Sequence, residues 1–242
     1  MSTTVQQQKQ VDLPGQTYAA EGPHDQTGMY VMHHAFRRDL ARFRSAARNT
    51  PIGDVATWRL LGERYGRFAS TLHHHHTVED DVYWPVLRRA AAERGVPGDL
   101  DAVSDNSDEH AEMDPCLDLC ARAFAEMAEH PCEDHRNALD LRLAGLAELL
   151  LGHMSHEEHE ILPLVQRVLT HEEFMDVEKT IGKSYNGKDI PFIVAWAMHG
   201  LPPADRDRMF ALAGAPYRVL HALFRRGFER REARTFRYAD QP

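Results

Sequence analysis

The sequence predicts an all-α protein: an up-down-up-down four-helix bundle followed by a short helical C-terminal extension. Four long segments repeat apolar residues at the helical period, and almost nothing within them alternates with the period of two that strands need. Short breaks separate these segments, as in antiparallel bundles. Beyond the fourth segment, prolines divide the chain into shorter helical pieces; they are Pro191, Pro202, Pro203 and Pro216.

Three regions follow from this pattern. Residues 1–25 are rich in Gln, Thr, Gly and Pro, which predicts a flexible N-terminal arm. Residues 26–170 form the predicted bundle, and residues 171–242 the predicted extension, which packs on the bundle. The predicted bundle helices run from Met29 to about Arg48, from Val55 (capped by Asp54) to Arg94, from a cap at Ser104, Asp105 or Ser107 to Glu129, and from Asp134 to Leu169.

Composition excludes several classes of protein. The net charge of −9 gives no chain-wide basic field for nucleic acid. No apolar run approaches the ~18 residues of a membrane span, and the polar N-terminus lacks the apolar region of a signal peptide. Three cysteines do not make a disulfide framework, so we expect a cytoplasmic protein. The 16 histidines are numerous and unevenly placed.

An internal repeat contains many of these histidines. His75 to Pro85 and His153 to Pro163 both read His-x3-Glu-x5-Pro, and each matched position is displaced by 78 residues, as 153 is from 75. A lone histidine precedes each copy, His33 before the first and His110 before the second, with an offset of 77. The bundle therefore reads as two helix pairs, each with one lone His and one His-x3-Glu.

This spacing suits metal binding. Residues four apart lie about one turn apart on one helix face, so a His and a Glu at that spacing reach one ion. Imidazole and carboxylate together suit iron, manganese or zinc. A single buried His is usually a packed core residue, but four His and two Glu in one core need a compensating charge. The candidate ligands, all on apolar helix faces, are His33, His75, Glu79, His110, His153 and Glu157.

The helix faces also discriminate between neighbouring histidines. His33 is favoured over His34, which shares a face with arginines. His75 is favoured over His73, His74 and His76 because it continues the apolar stripe of the second helix. That stripe consists of Leu72, His75, Glu79, Val82 and Val86.

On these motifs, residues 25–170 resemble the hemerythrin-like family, also described as the hemerythrin HHE cation-binding family. The resemblance implies two non-haem iron ions with an oxo or hydroxo bridge in a four-helix bundle, and an open position for a small molecule. Carried onto this chain, it implies that Glu79 and Glu157 bridge the irons. The terminal ligands would be His33, His75, His110 and His153.

The chain departs from oxygen-carrying hemerythrins at two places. Those proteins have a second histidine one turn after the lone His of the third helix, where this chain has Asp114. They also place an Asp five residues after the His of the fourth helix, where this chain has Glu157 four residues after it. Asp114 is therefore a further candidate ligand, or a residue that only hydrogen-bonds one. The changed set favours redox turnover or sensing over simple oxygen carriage.

Several functions remain open. The resemblance favours a di-iron protein that binds dioxygen, peroxide or nitric oxide for redox sensing or protection against oxidative stress. One alternative is a catalase-like or nitric-oxide-metabolising enzyme, because binding of these molecules and their turnover need the same metal ligands. Another is a metal-storage or structural metal-binding bundle.

His156 and Glu160 read equally well as partners of the ligands or as a solvated face. The extension, with seven arginines against three acids after Pro216, offers a surface for a protein partner or a dimer.

Overall fold

The computed structural model describes residues 7–96 and 100–240. Within them the chain is helical and contains no β-strand, which confirms the all-α prediction. The helices are α1 (Thr27–Asn49), α2 (Val55–Val78), α3 (Trp84–Glu93), α4 (Leu100–Glu129), α5 (Glu133–His156), α6 (Leu162–Val168), α7 (His171–Ser184), α8 (Ile190–Ala197), α9 (Pro203–Ala213) and α10 (Ala215–Thr235). Two π-helical turns, π1 (Glu79–Tyr83) and π2 (Glu157–Ile161), join α2 to α3 and α5 to α6.

The bundle has four rods: α1, the α2–π1–α3 unit, α4, and the α5–π2–α6 unit. Their apolar faces meet in a main core, in which Phe43 makes edge contacts with both Phe68 and Phe124, and in a smaller cluster around α3 and α6. The predicted cap of the second rod is confirmed, since the Asp54 carboxylate accepts a hydrogen bond from the Thr57 amide. The repeat in the sequence thus becomes two similar interrupted rods.

The prolines of the repeat explain the π-helical turns. A proline has no N–H and its ring clashes with the carbonyl four residues earlier, so a regular helix cannot pass through it unchanged. Just before Pro85, the Trp84 amide donates to the Glu79 carbonyl, five residues back. Just before Pro163, the amide of Leu162 donates to the Glu157 carbonyl in the same way. Each π turn therefore begins at the glutamate of a His-x3-Glu motif.

The π turn also corrects the predicted stripe. An extra residue per turn rotates everything that follows about the helix axis. Val82 and Val86 are consequently only half-buried, whereas Tyr83 and Leu87 are buried. A constant helical period, which our prediction assumed, fails beyond Glu79.

The third rod begins earlier than we predicted. α4 starts at Leu100, so the proposed caps Ser104, Asp105 and Ser107 lie inside it. The Ser107 hydroxyl instead donates to the Val103 carbonyl and to the carboxylate of Asp80 on π1. Residues 97–99, which follow the predicted end of the second helix at Arg94, lie outside the described residues.

The N-terminal segment, residues 7–25, is packed along the bundle, which differs from the flexible arm that its composition suggested. Val11, Leu13 and Ala20 are each no more than 3% exposed. The Gln166 side chain of α6 holds the segment, since its amide donates to the Ala20 carbonyl and its oxygen accepts from the His24 amide. Polar residues can thus pack when a buried partner satisfies their backbone groups. The prediction for residues 1–6 lies outside the described residues.

The C-terminal extension rests against α1 and α2. On α8, the Trp196 ring nitrogen donates to the buried Asp39 carboxylate at 2.7 Å. On α10, Glu232 accepts hydrogen bonds from both Arg64 and Arg42, each at 2.6 Å. Among the described residues, no helix is long and apolar enough to cross a membrane.

Candidate metal centre

Two groups of buried His and Glu side chains lie inside the bundle. In each group, one ligand atom per residue lies within 4.8 Å of those of all the others. The first, here called the three-ligand group, consists of His33, His75 and Glu157. The second, the four-ligand group, consists of His76, Glu79, His110 and His153.

The two groups are in contact. His33 Nε2 lies 2.9 Å from a Glu157 oxygen, and the other Glu157 oxygen lies 3.6 Å from His153 Nε2. Glu79 likewise lies 3.1 Å from His75 Nε2 and 3.6 Å from His110 Nε2. Each glutamate therefore approaches histidines of both groups, which is the placement expected of a bridging carboxylate.

The hydrogen bonding of these atoms tests whether a metal fits. Buried polar atoms in proteins nearly always have a hydrogen-bond partner. Here every ligand residue has at least one buried atom that lacks one, although the atoms lie close together. They are Nε2 of His33, His75, His110 and His153, both ring nitrogens of His76, both carboxylate oxygens of Glu79, and Oε2 of Glu157. Such a convergence of unpartnered N and O atoms fits metal ions with imidazole and carboxylate ligands.

Electrostatics keep His75, His76 and Glu157 in a metal-binding form. Burial lowers the pKa of His75 to about 3 and that of His76 well below its ordinary value, so both rings are neutral near pH 7. Neutral imidazole is the form that binds metal. Burial opposes ionisation of Glu157, but the nearby His153 and His33 lower its pKa well below the ordinary value. Burial, assisted by the charge of Glu157, raises the pKa of Glu79.

Carboxylates outside the two groups orient three of the histidines. Asp80 lies 2.9 Å from His110 Nδ1, Glu109 lies 2.9 Å from His153 Nδ1, and Glu158 lies 3.0 Å from His33 Nδ1. A carboxylate on one ring nitrogen fixes the tautomer and directs the other nitrogen inward, as is usual for metal-bound histidine. This explains why the Nε2 atoms face the centre.

The structure brings all six predicted candidate ligands together, and it adds His76. The apolar stripe of the second helix excludes His76 from the predicted ligands, because His76 lies off that stripe. Residues three apart are neighbours on a helix as well as residues four apart, so His76-x2-Glu79 was a signal available in the sequence. The ring of His76 is 3% exposed and stacks on His110 with ring centroids 4.1 Å apart.

Asp114 lies outside both groups. Its carboxylate is half exposed and contacts His73 Nδ1 at 3.2 Å on the surface. The position that holds a histidine in oxygen-carrying hemerythrins thus faces solvent here, and His76 enters from the neighbouring helix instead. His156 is tied to the site only indirectly, through Glu109, and its neighbour Glu160 is mostly exposed.

Comparison with known proteins agrees with this geometry. The family model described as the hemerythrin HHE cation-binding domain matches residues 25–165. The chain belongs to this family. The matched range covers the first three rods, the fourth rod as far as residue 165 within α6, and every residue of both ligand groups. Searches of curated proteins and of solved structures found no significant match.

The candidate site of this hemerythrin HHE protein is asymmetric, because its two repeats do not supply the same number of histidines. The His75-His76 pair of the first repeat corresponds to His153-Met154 in the second. The first repeat therefore supplies one histidine more than the second. The two groups consequently differ by one ligand, and the family's cation-binding chemistry fits the His and Glu clusters observed.

Proposed function

We propose that this protein holds two non-haem iron ions and uses them to bind dioxygen, peroxide or nitric oxide, for redox sensing or protection. The observation that carries the proposal is the convergence of unpartnered buried nitrogens and carboxylate oxygens in two adjoining groups. Two buried glutamates without a compensating positive charge would be costly to desolvate. Iron fits a mixed imidazole and carboxylate set without thiolates.

Each group would hold one ion, with Glu79 and Glu157 placed to be shared between them. When bound, iron supplies one-electron redox chemistry and Lewis acidity. The three-ligand group leaves more coordination positions for a small molecule than the four-ligand group does. We therefore assign small-molecule binding to the side of His33 and His75.

The protein's own residues determine the environment on that side. The Phe36 ring lies 5.4 Å from the His75 ring, and both Phe36 and the Trp196 ring behind it are fully buried. These buried apolar rings exclude water from the side of His33 and His75. Glu158 keeps the His33 ring in one orientation, so this ring does not have to become ordered when a small molecule binds.

Reconstitution under anaerobic conditions tests this proposal. Protein loaded with Fe(II) should change its near-ultraviolet and visible spectrum on addition of dioxygen, peroxide or nitric oxide. His33→Ala should abolish the response, whereas the surface variant Asp114→Asn should keep it. Sustained consumption of peroxide with release of oxygen would favour the enzyme alternative. A protein that holds zinc only and shows no spectral change would contradict the proposal and favour a structural bundle.

A further inference from the structure

The acid that follows each ligand glutamate plays a parallel role in the two repeats. Glu79 is followed by Asp80, which lies 2.9 Å from Nδ1 of His110. Glu157 is followed by Glu158, which lies 3.0 Å from Nδ1 of His33. In both cases the motif of one repeat orients the lone histidine of the other. The two acids therefore serve as matched positions within one chain.

The surroundings of these two acids differ. The Asp80 side chain is 35% exposed and otherwise accepts a bond from the Ser107 hydroxyl of α4, a part of the bundle itself. The Glu158 side chain is fully buried and also accepts a hydrogen bond from Arg37 at 2.7 Å. Its second oxygen accepts from the amide and from the hydroxyl of Thr17, each at 2.7 Å.

Thr17 belongs to the N-terminal segment, so one carboxylate connects that segment to a metal-ligand candidate. One oxygen of Glu158 holds the His33 ring, and the other holds the backbone of Thr17. Further anchors of the segment lie elsewhere, and they include Gln166, Tyr30 and His34. Loss of the Glu158 contacts would therefore loosen the segment around Thr17 without detaching all of it.

We propose that Glu158 is a positioning residue that couples the N-terminal segment to the metal bound at His33. The segment fixes Glu158, and Glu158 fixes the ring whose Nε2 faces the three-ligand group. Because coupling between two sites is reciprocal, metal binding stabilises the segment around Thr17 as much as the segment stabilises the metal. This inference rests on the proposed metal site and connects the N-terminal segment around Thr17 to it.

Amide hydrogen exchange combined with metal titration tests the coupling, with Zn(II), or Fe(II) under anaerobic conditions, as the probe. In the wild type, metal should slow exchange of the Thr17 amide. In Glu158→Gln, that amide should exchange rapidly with or without metal, and metal affinity should fall by about 10–100-fold, the usual effect of removing a partner of a metal-bound histidine.

Asp80→Asn is the matched control. It should weaken metal binding through His110, but the response of Thr17 to metal should persist. Thr17→Val, which keeps the buried carboxylate, should weaken metal binding in the same direction as Glu158→Gln and by less, and it provides the test if Glu158→Gln does not fold.

Two results would overturn the coupling. A wild type that takes up two ions while Thr17 exchange does not respond would refute it and leave the proposed function standing. A wild type that takes up no metal would refute both.

Discussion

Replacing His76 by leucine should change the stability of the protein in opposite directions with and without metal. Neither ring nitrogen of His76 has a hydrogen-bond partner, and burial holds the ring neutral. A buried polar group left unsatisfied costs about 1–3 kcal/mol, and an apolar side chain of similar size removes that cost. The metal-free variant should therefore be more stable than the metal-free wild type by about 1–3 kcal/mol, or roughly 2–4 °C in melting temperature for each kcal/mol.

With metal the order should reverse. The four-ligand group becomes a three-ligand group, and each tenfold loss of affinity removes about 1.4 kcal/mol of metal-linked stabilisation. The assay is thermal unfolding of both proteins, metal-free and in excess metal, read by circular dichroism. His73→Leu is the control, since the exposed side chain of His73 makes its polar contact with the surface residue Asp114, away from both ligand groups. Its free energy of unfolding should stay within about 0.5 kcal/mol of the wild-type value, both without metal and with it.

One combination of results would refute the reasoning. If His76→Leu destabilises the metal-free protein and leaves the metal-induced rise in melting temperature unchanged, His76 is a packing residue and not a ligand.

Three further predictions concern the fold and its metal. Burial opposes ionisation of Asp39, but Arg64 and Arg38 lower its pKa from 3.8 to about 2. The ionised carboxylate therefore stabilises the fold fully above pH 3.8, and this contribution is lost as pH falls through about 2. In an acid titration, Asp39→Asn should lose less stability than the wild type between these pH values, and an equal loss would contradict the ion pair. At pH 7, Asp39→Asn should cost about 3–5 kcal/mol because it breaks the buried ion pairs of Asp39 with Arg64 and Arg38, measured by urea unfolding. Gly22→Ala should destabilise the protein by about 1–3 kcal/mol, since a Cβ there would lie 2.7 Å from that of Gln166; Gly28→Ala, where a Cβ meets nothing within 4 Å, is the control. Removing metal with a chelator should lower the melting temperature of the wild type. The free energy of unfolding should fall by about 4 kcal/mol if the free metal concentration was a thousand times the Kd. Calorimetry that shows no change in melting temperature would argue against bound metal.

The repeat explains why so much of the site could be predicted from the sequence. Helical spacing within His-x3-Glu and its recurrence 78 residues later are local properties of the chain, and they placed the six candidate ligands on inward faces. The helix periodicity also predicted the four rods. Both arguments hold wherever the backbone stays regular.

The errors arise where the backbone or the partners are not local. The π turns at Glu79 and Glu157 change the helical register. The predicted apolar stripe is therefore wrong at Val82, which is only half-buried. Glu158 showed no local pattern of its own, because its partners lie more than 100 residues away in the chain. His76 was missed for a different reason: it lies off the apolar stripe on which the ligands were predicted.

The most direct test of the account is a crystal structure of the iron-loaded protein with anomalous data collected at the iron edge. Two peaks of anomalous density are expected, one beside His33, His75 and Glu157, and the other beside the four-ligand group, which includes His76. A single peak, or a peak at Asp114 and His73 on the surface, would contradict a two-metal centre in the bundle core.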